Sequence, residues 1–188
     1  MKSIFKKLVL ITLVSVPCVS SAQSFALDQL VLLSSKSALD IDAYTNARGW
    51  KFMGLPANDT SITAGWKFLS NQGRYMLLYE KIGEQPATII YSTPNRALFD
   101  AIRLRLSAYG LKQVETNNKR YGLNTQYMSP KYEVWLRIHN ALEEPRKTSY
   151  IVVVQKQTKV LLEIMNGESV WMDPKRLILA SDSLQPRR

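Results

Sequence analysis

The sequence predicts an α+β fold: a tandem repeat of a helix plus about four antiparallel strands, helices packed on one face of the sheet, with a C-terminal extension. Three observations predict it. Short matches recur in one order at offsets of 57 to 62 residues: Ala47-Arg48-Gly49-Trp50-Lys51 with Ala108-Tyr109-Gly110-Leu111-Lys112, Phe68-Leu69-Ser70 with Tyr127-Met128-Ser129, Arg74-Tyr75 with Lys131-Tyr132, Pro86 with Pro145, and Ile89-Ile90 with Ile151-Val152. Each half opens on a helix pattern. Each half then carries four short strand-like runs separated by Gly, Asn and Pro clusters, and short connections imply antiparallel hairpins.

The elements follow in order. Residues 1–22 read as a secretory signal: the basic Met1–Lys7 stretch, a nine-residue largely apolar run from Leu8 to Val16, and Ser20 and Ala22 as a small-x-small cleavage site. The apolar run is too short for a membrane span, which needs about 20 residues. Cys18 follows Ser15-Val16-Pro17, a poor lipidation context, so a periplasmic or secreted chain is expected over a lipid-anchored one. Cleavage removes Cys18, the only cysteine, and leaves 166 residues. It also removes Lys2, Lys6 and Lys7, which takes the net charge from +10 to +7.

The first unit is placed at 23–91. Phe25 to Asn46 reads as helix, interrupted at Ser34-Ser35-Lys36-Ser37, with a second short helix from about Ser37 and a stop at Gly49. Strands are expected at Trp50–Gly54, Thr63–Leu69, Tyr75–Lys81 and Ala87–Tyr91. The second unit is placed at 92–156. Ser92-Thr93-Pro94 marks its helix start. Leu98, Phe99, Ile102, Leu106 and Tyr109 share one face at spacings of three and four, and Gly110 ends the helix. Its strands are expected at Lys112–Glu115, Thr125–Met128, Tyr132–His139 and Tyr150–Gln155. Alternation is clearest in the third, with Tyr132, Val134, Leu136 and Ile138 on one side and Glu133, Trp135 and Arg137 on the other. In the extension, 157–188, two apolar runs flank the turn signal Asn166-Gly167 and predict a hairpin.

The sequence carries no motif that assigns catalytic, cofactor-binding or metal-binding residues. Ser-His-Asp hydrolysis needs a base beside the hydroxyl and a group that orients it, and His139 is the single histidine. Zinc draws on several His or Cys ligands. Asp40/Asp42 and Glu143/Glu144 are the best oxygen pairs for calcium or magnesium, and neither forms an EF-hand loop. A two-carboxylate hydrolase stays open, because any protein with 15 acids can supply two.

Aromatic residues interleaved with basic ones form the candidate partner site: Trp135, Arg137, Lys51 and Lys67. Lys51 lies between Trp50 and Phe52, and Lys67 between Trp66 and Phe68, so alternation turns both lysines away from their aromatic flanks. Trp135 and Arg137 share a side, a composition favoured in interface hot spots; the competing expectation is that Trp135 packs under the tail hairpin. The positive balance predicts an acidic protein, a glycan or an anionic surface as partner. No nucleic acid is expected, and no transmembrane span after signal removal.

Two resemblances accompany this reading. The run Asp42-Ala43-Tyr44 through Gly49-Trp50-Lys51-Phe52, with the later Tyr132-Glu133-Val134-Trp135-Leu136, resembles a set of uncharacterised small secreted bacterial proteins over about residues 25–156. The layout also looks like the tandem architecture of β-lactamase inhibitory proteins, whose disulfides have no counterpart here. Neither resemblance implies a catalytic activity. The sequence therefore predicts an exported non-enzymatic binding protein, inhibitor- or adaptor-like, with a carrier of a small acidic or amphipathic ligand and a carboxylate-based hydrolase as alternatives.

Overall fold

The computed structural model describes residues 24–54, 57–58, 61–119, 122–140, 148–157, 160–163 and 169–172, with backbone alone at 57–58, 119, 160–163 and 169–172. The expected signal segment, 1–22, lies outside the described residues, as does 173–188.

Local chemistry explains the helices. Helix α1 (Leu27–Leu33) turns Leu27, Leu30, Val31 and Leu33 inward, and Gln29 Oε1 accepts the free Ala26 N–H at 2.8 Å. It stops at Ser34, whose hydroxyl donates back to the Val31 carbonyl at 2.8 Å. Ser37 then caps helix α2 (Ala38–Asn46): its Oγ accepts from Asp40 N–H at 3.2 Å while Asp40 Oδ2 accepts from Ser37 N–H at 3.3 Å. Helix α3 (Arg96–Arg105) is capped by Asn95, which accepts from Leu98 N–H at 3.1 Å, one residue beyond the predicted Ser92–Pro94 signal. A 3₁₀ turn over Leu106–Tyr109 extends it to Gly110, which adopts the left-handed conformation at φ 66°.

Nine strands form one antiparallel sheet: β1 (Lys51–Gly54), β2 (Ala57–Asn58), β3 (Ser61–Ser70), β4 (Gly73–Ile82), β5 (Thr88–Thr93), β6 (Lys112–Lys119), β7 (Gly122–Met128), β8 (Tyr132–Asn140) and β9 (Thr148–Lys156). Their order is β1-β3-β4-β5-β9-β8-β7-β6, with the short β2 paired to β3. Strands β10 (Val160–Glu163) and β11 (Ser169–Met172) pair with each other as a separate hairpin.

This architecture corrects the predicted fold class. The described residues form mostly one antiparallel sheet carrying three short helices, not a helix-plus-strand tandem repeat. The joint between the expected units is itself a full ladder. In it, β5 pairs with β9 from Thr88↔Gln155 to Thr93↔Tyr150, and Ile89, Tyr91, Val152 and Val154 are buried in one core. The helical parts also differ. Two helices of seven and nine residues precede β1, whereas one ten-residue helix and a 3₁₀ turn precede β6.

One sheet face and the three helices close the core. Leu27, Leu30, Ile41, Phe99 and Ile102 from the helices pack in the same cluster as Trp66, Leu77, Tyr91, Val134 and Val152 from the strands. Phe25 sits at its aromatic centre, 5.0 Å from Trp50 and 5.5 Å from Tyr91 between ring centroids. Burial pushes the Tyr91 phenol far above its ordinary range. Two polar ties hold the helices down. Trp66 Nε1 donates to Asp42 Oδ1 at 2.8 Å, and Asp28 accepts from both Arg105 Nη2, at 2.9 Å, and the Tyr109 hydroxyl.

Candidate functional site

Pleating assigns alternate residues to the face away from the helices. Strand register then arranges them in rows. One row crosses the sheet as Gly65, Leu78, Ile90, Val153, Trp135 and Gln126. The next runs Lys67, Met76, Ser92, Ile151, Arg137 and Asn124. Gly65 leaves room for Met53 and Leu78 to meet above it: a Cβ there would lie 2.9 Å from the Met53 methyl and 3.1 Å from Leu78 Cδ2. This face carries an apolar band with Lys67 and Arg137 in the row on one side and Glu80 and Glu133 in the row on the other.

Trp135 and Arg137 lie where alternation predicts, on the outer side of β8. Trp135 is partly buried, and its Nε1 donates to Glu133 Oε1 at 2.9 Å. The same oxygen accepts from Gln126 Nε2 at 2.6 Å, so the indole edge is held from two strands. The exposed Arg137 guanidinium stands 5.8 Å from the Trp135 ring centroid. Beside it opens a cleft of about 370 Å³ lined by Gly122, Asn124, Arg137, Ile138, His139 and Ile151, together with Leu123. The buried Asn124 Oδ1 has no hydrogen-bond partner among the described residues. Arg137, His139 and Asn124 thus line one opening. Chemically the site can receive an acidic group that carries a neighbouring donor.

Lys51 and Lys67 occupy the same face but not the same place. They are direct cross-strand partners on β1 and β3, Lys51 exposed and Lys67 partly buried. Four strand spacings separate β3 from β8, on the order of 19 Å. The structure therefore divides the four predicted residues into two pairs.

Asn124 escaped the sequence reading. Its only signal was hairpin arithmetic: the turn between β7 and β8 pairs residues whose numbers sum to 261, and this sets Asn124 opposite Arg137. His139 lines the cleft opposite Ser149 on β9, whose hydroxyl is paired with that of Ser92 at 2.8 Å, and among the described residues no group of three His, Cys, Asp or Glu side chains could hold a metal ion. The acids weighed for cations have structural partners: Asp40 caps α2 and Asp42 binds Trp66, while Glu143 and Glu144 lie outside the described residues. The Ser37 hydroxyl and amide hold the Asp40 carboxyl below the usual range, and the Tyr109 hydroxyl does the same for Asp28. That direction is opposite to the one a general acid needs. A second cleft, about 420 Å³, lies between Tyr109 and Tyr132 at the end of α3.

No protein-family model matches the chain, and neither does any curated protein or solved structure. Among the described residues, no helix is long and apolar enough to cross a membrane.

Proposed function

We propose that this is an exported, non-enzymatic binding protein that captures an acidic macromolecule on the open face of its sheet. One observation carries the reading: Arg137, His139 and Asn124 line one cleft beside Trp135, and the buried Asn124 Oδ1 has no partner among the described residues. Arg137 supplies a charge-assisted donor, Asn124 an acceptor for a neighbouring hydroxyl or amide, and the Trp135 ring, 5.8 Å away, backs the guanidinium. The Lys51–Lys67 pair extends the positive field along the same face and steers acidic partners toward it.

The test is binding of a polyuronate, of polyglutamate and of anionic phospholipid vesicles to the full chain, compared with Arg137→Ala and Trp135→Ala. Losing a charge-assisted hydrogen bond costs roughly 1.5–3 kcal/mol, so Arg137→Ala weakens binding by about ten- to a hundredfold. Affinity also falls as salt rises. Equal binding by wild type and Arg137→Ala contradicts the assignment.

The cleft volume favours one second reading. About 370 Å³ falls within the range of small-ligand sites, which suits a carrier of a small acidic molecule. Monomeric uronate or glutamate that competes as strongly as the polymers supports it.

A further inference from the structure

Two buried apolar residues stand apart from the core. Val153 is 7 % exposed and Met128 is 4 % exposed, yet neither belongs to the cluster beneath the helices. Register explains where they are. Val153 pairs with Trp135, and Met128 pairs with Glu133 next door, so both lie on the open face around the indole. A solvated sheet face does not shield neighbouring positions on β9 and β7 to this degree. Leu78, Ile90 and Ile151 on the same face are only partly buried, so whatever shields Val153 and Met128 is local to this end of the sheet.

The chain itself supplies the candidate. Strand β9 runs toward this end of the sheet and leaves it at Gln157, whose N–H donates to the Lys131 carbonyl at 2.8 Å. Only two residues then precede the β10–β11 hairpin, so its start is tethered to the rim of the Val153–Met128 patch. Its ladder pairs Val160 with Met172 and Leu162 with Val170, which sets four apolar positions on one face. A two-stranded hairpin is marginal in water unless that face is covered. Four-residue strands span about 13 Å, close to the width of β9, β8 and β7 together. The cleft at Arg137 and His139 lies farther along the same strands, beyond the Trp135 row, and stays open.

We infer that the β10–β11 hairpin docks on the open face over Val153, Trp135 and Met128, forming a wall beside the Arg137 cleft. Methionine oxidation by dilute peroxide in the full chain tests it, with Met53, 40 % exposed, as the internal standard. In the wild type Met128 oxidises far more slowly than Met53. In Leu162→Asp/Val170→Asp its rate rises roughly tenfold relative to Met53, as local opening exposes the thioether. An unchanged Met128 rate overturns the inference. A second measurement leaves the hairpin's apolar character in place. A benzophenone side chain introduced at position 162 of the full chain should crosslink to peptides containing residues 128, 135 or 153. Crosslinks confined to the helices, crosslinks joining heavy- and light-isotope copies, or none beyond those of the denatured chain contradict it.

Discussion

Gly122 shows how tightly the site is set at the scale of single residues. It adopts φ 150°, and a Cβ there would fall 1.7 Å from the Ile138 carbonyl oxygen in the neighbouring strand. Gly122→Ala must push β7 off β8 and is expected to cost about 2–4 kcal/mol, read as a lower urea midpoint. Gly83, at φ 52° with open space around it, is the control: Gly83→Ala costs only about 1–2 kcal/mol of backbone strain. The Asp28 tie carries a pH signature. The Tyr109 hydroxyl, then the Arg105 guanidinium, holds Asp28 below the usual carboxylate range. Its contribution is therefore complete above the unfolded value of about 3.9 and is lost as pH falls through the lower folded value. Tyr109 is pushed up to about 12, chiefly by donating to Asp28. Its share is present below the unfolded value of about 10 and is lost as pH rises through the folded one. Asp28 is half exposed, so Asp28→Asn should cost under about 1 kcal/mol near neutrality and flatten the acid limb of the stability profile. An acid limb identical to the wild type's would contradict this.

At the scale of elements, much was legible because the signals are local. The break at Ser34–Ser37 is a polar run with a capping pair, and it divides α1 from α2 as read. The period of two in Tyr132–Ile138 predicts which β8 side chains face the helices, and Val134 and Leu136 are buried accordingly. Pairing between distant strands left no such mark. Thr88–Thr93 and Thr148–Lys156 meet across some sixty residues, and neither run names its partner. For the same reason Trp135 and Arg137 were readable as neighbours, whereas Asn124 was not. Short ordered matches suggested two repeated units, but matches along a chain do not report which strands join. The ladder at β5–β9 decides that. Ile89→Ala on that ladder removes a fully buried side chain and should cost about 2–5 kcal/mol by urea denaturation. Leu104→Ala, at an exposed site on α3, should cost under about 0.5 kcal/mol.

The whole molecule divides its two sheet faces between two tasks. Helices cover one face and build the core, while the other carries the apolar band and leaves the Arg137 cleft open. Because β5 and β9 unite every strand of the large sheet around one core, the described chain should unfold in a single transition, with fluorescence and far-ultraviolet dichroism superimposing. Stabilising the site and stabilising the fold are then linked, and a bound acidic partner should raise the melting temperature of the entire sheet.

Native-state hydrogen exchange across the β5–β9 ladder tests the single-sheet account most directly. Paired amides of 88–93 and 148–156 should be among the slowest in the chain, opening together with β4 and β8 at one free energy close to that of global unfolding. Should residues 24–91 and 92–156 open at separate free energies, with β5 and β9 exchanging as exposed edges, the continuous sheet and the face built upon it would both be contradicted.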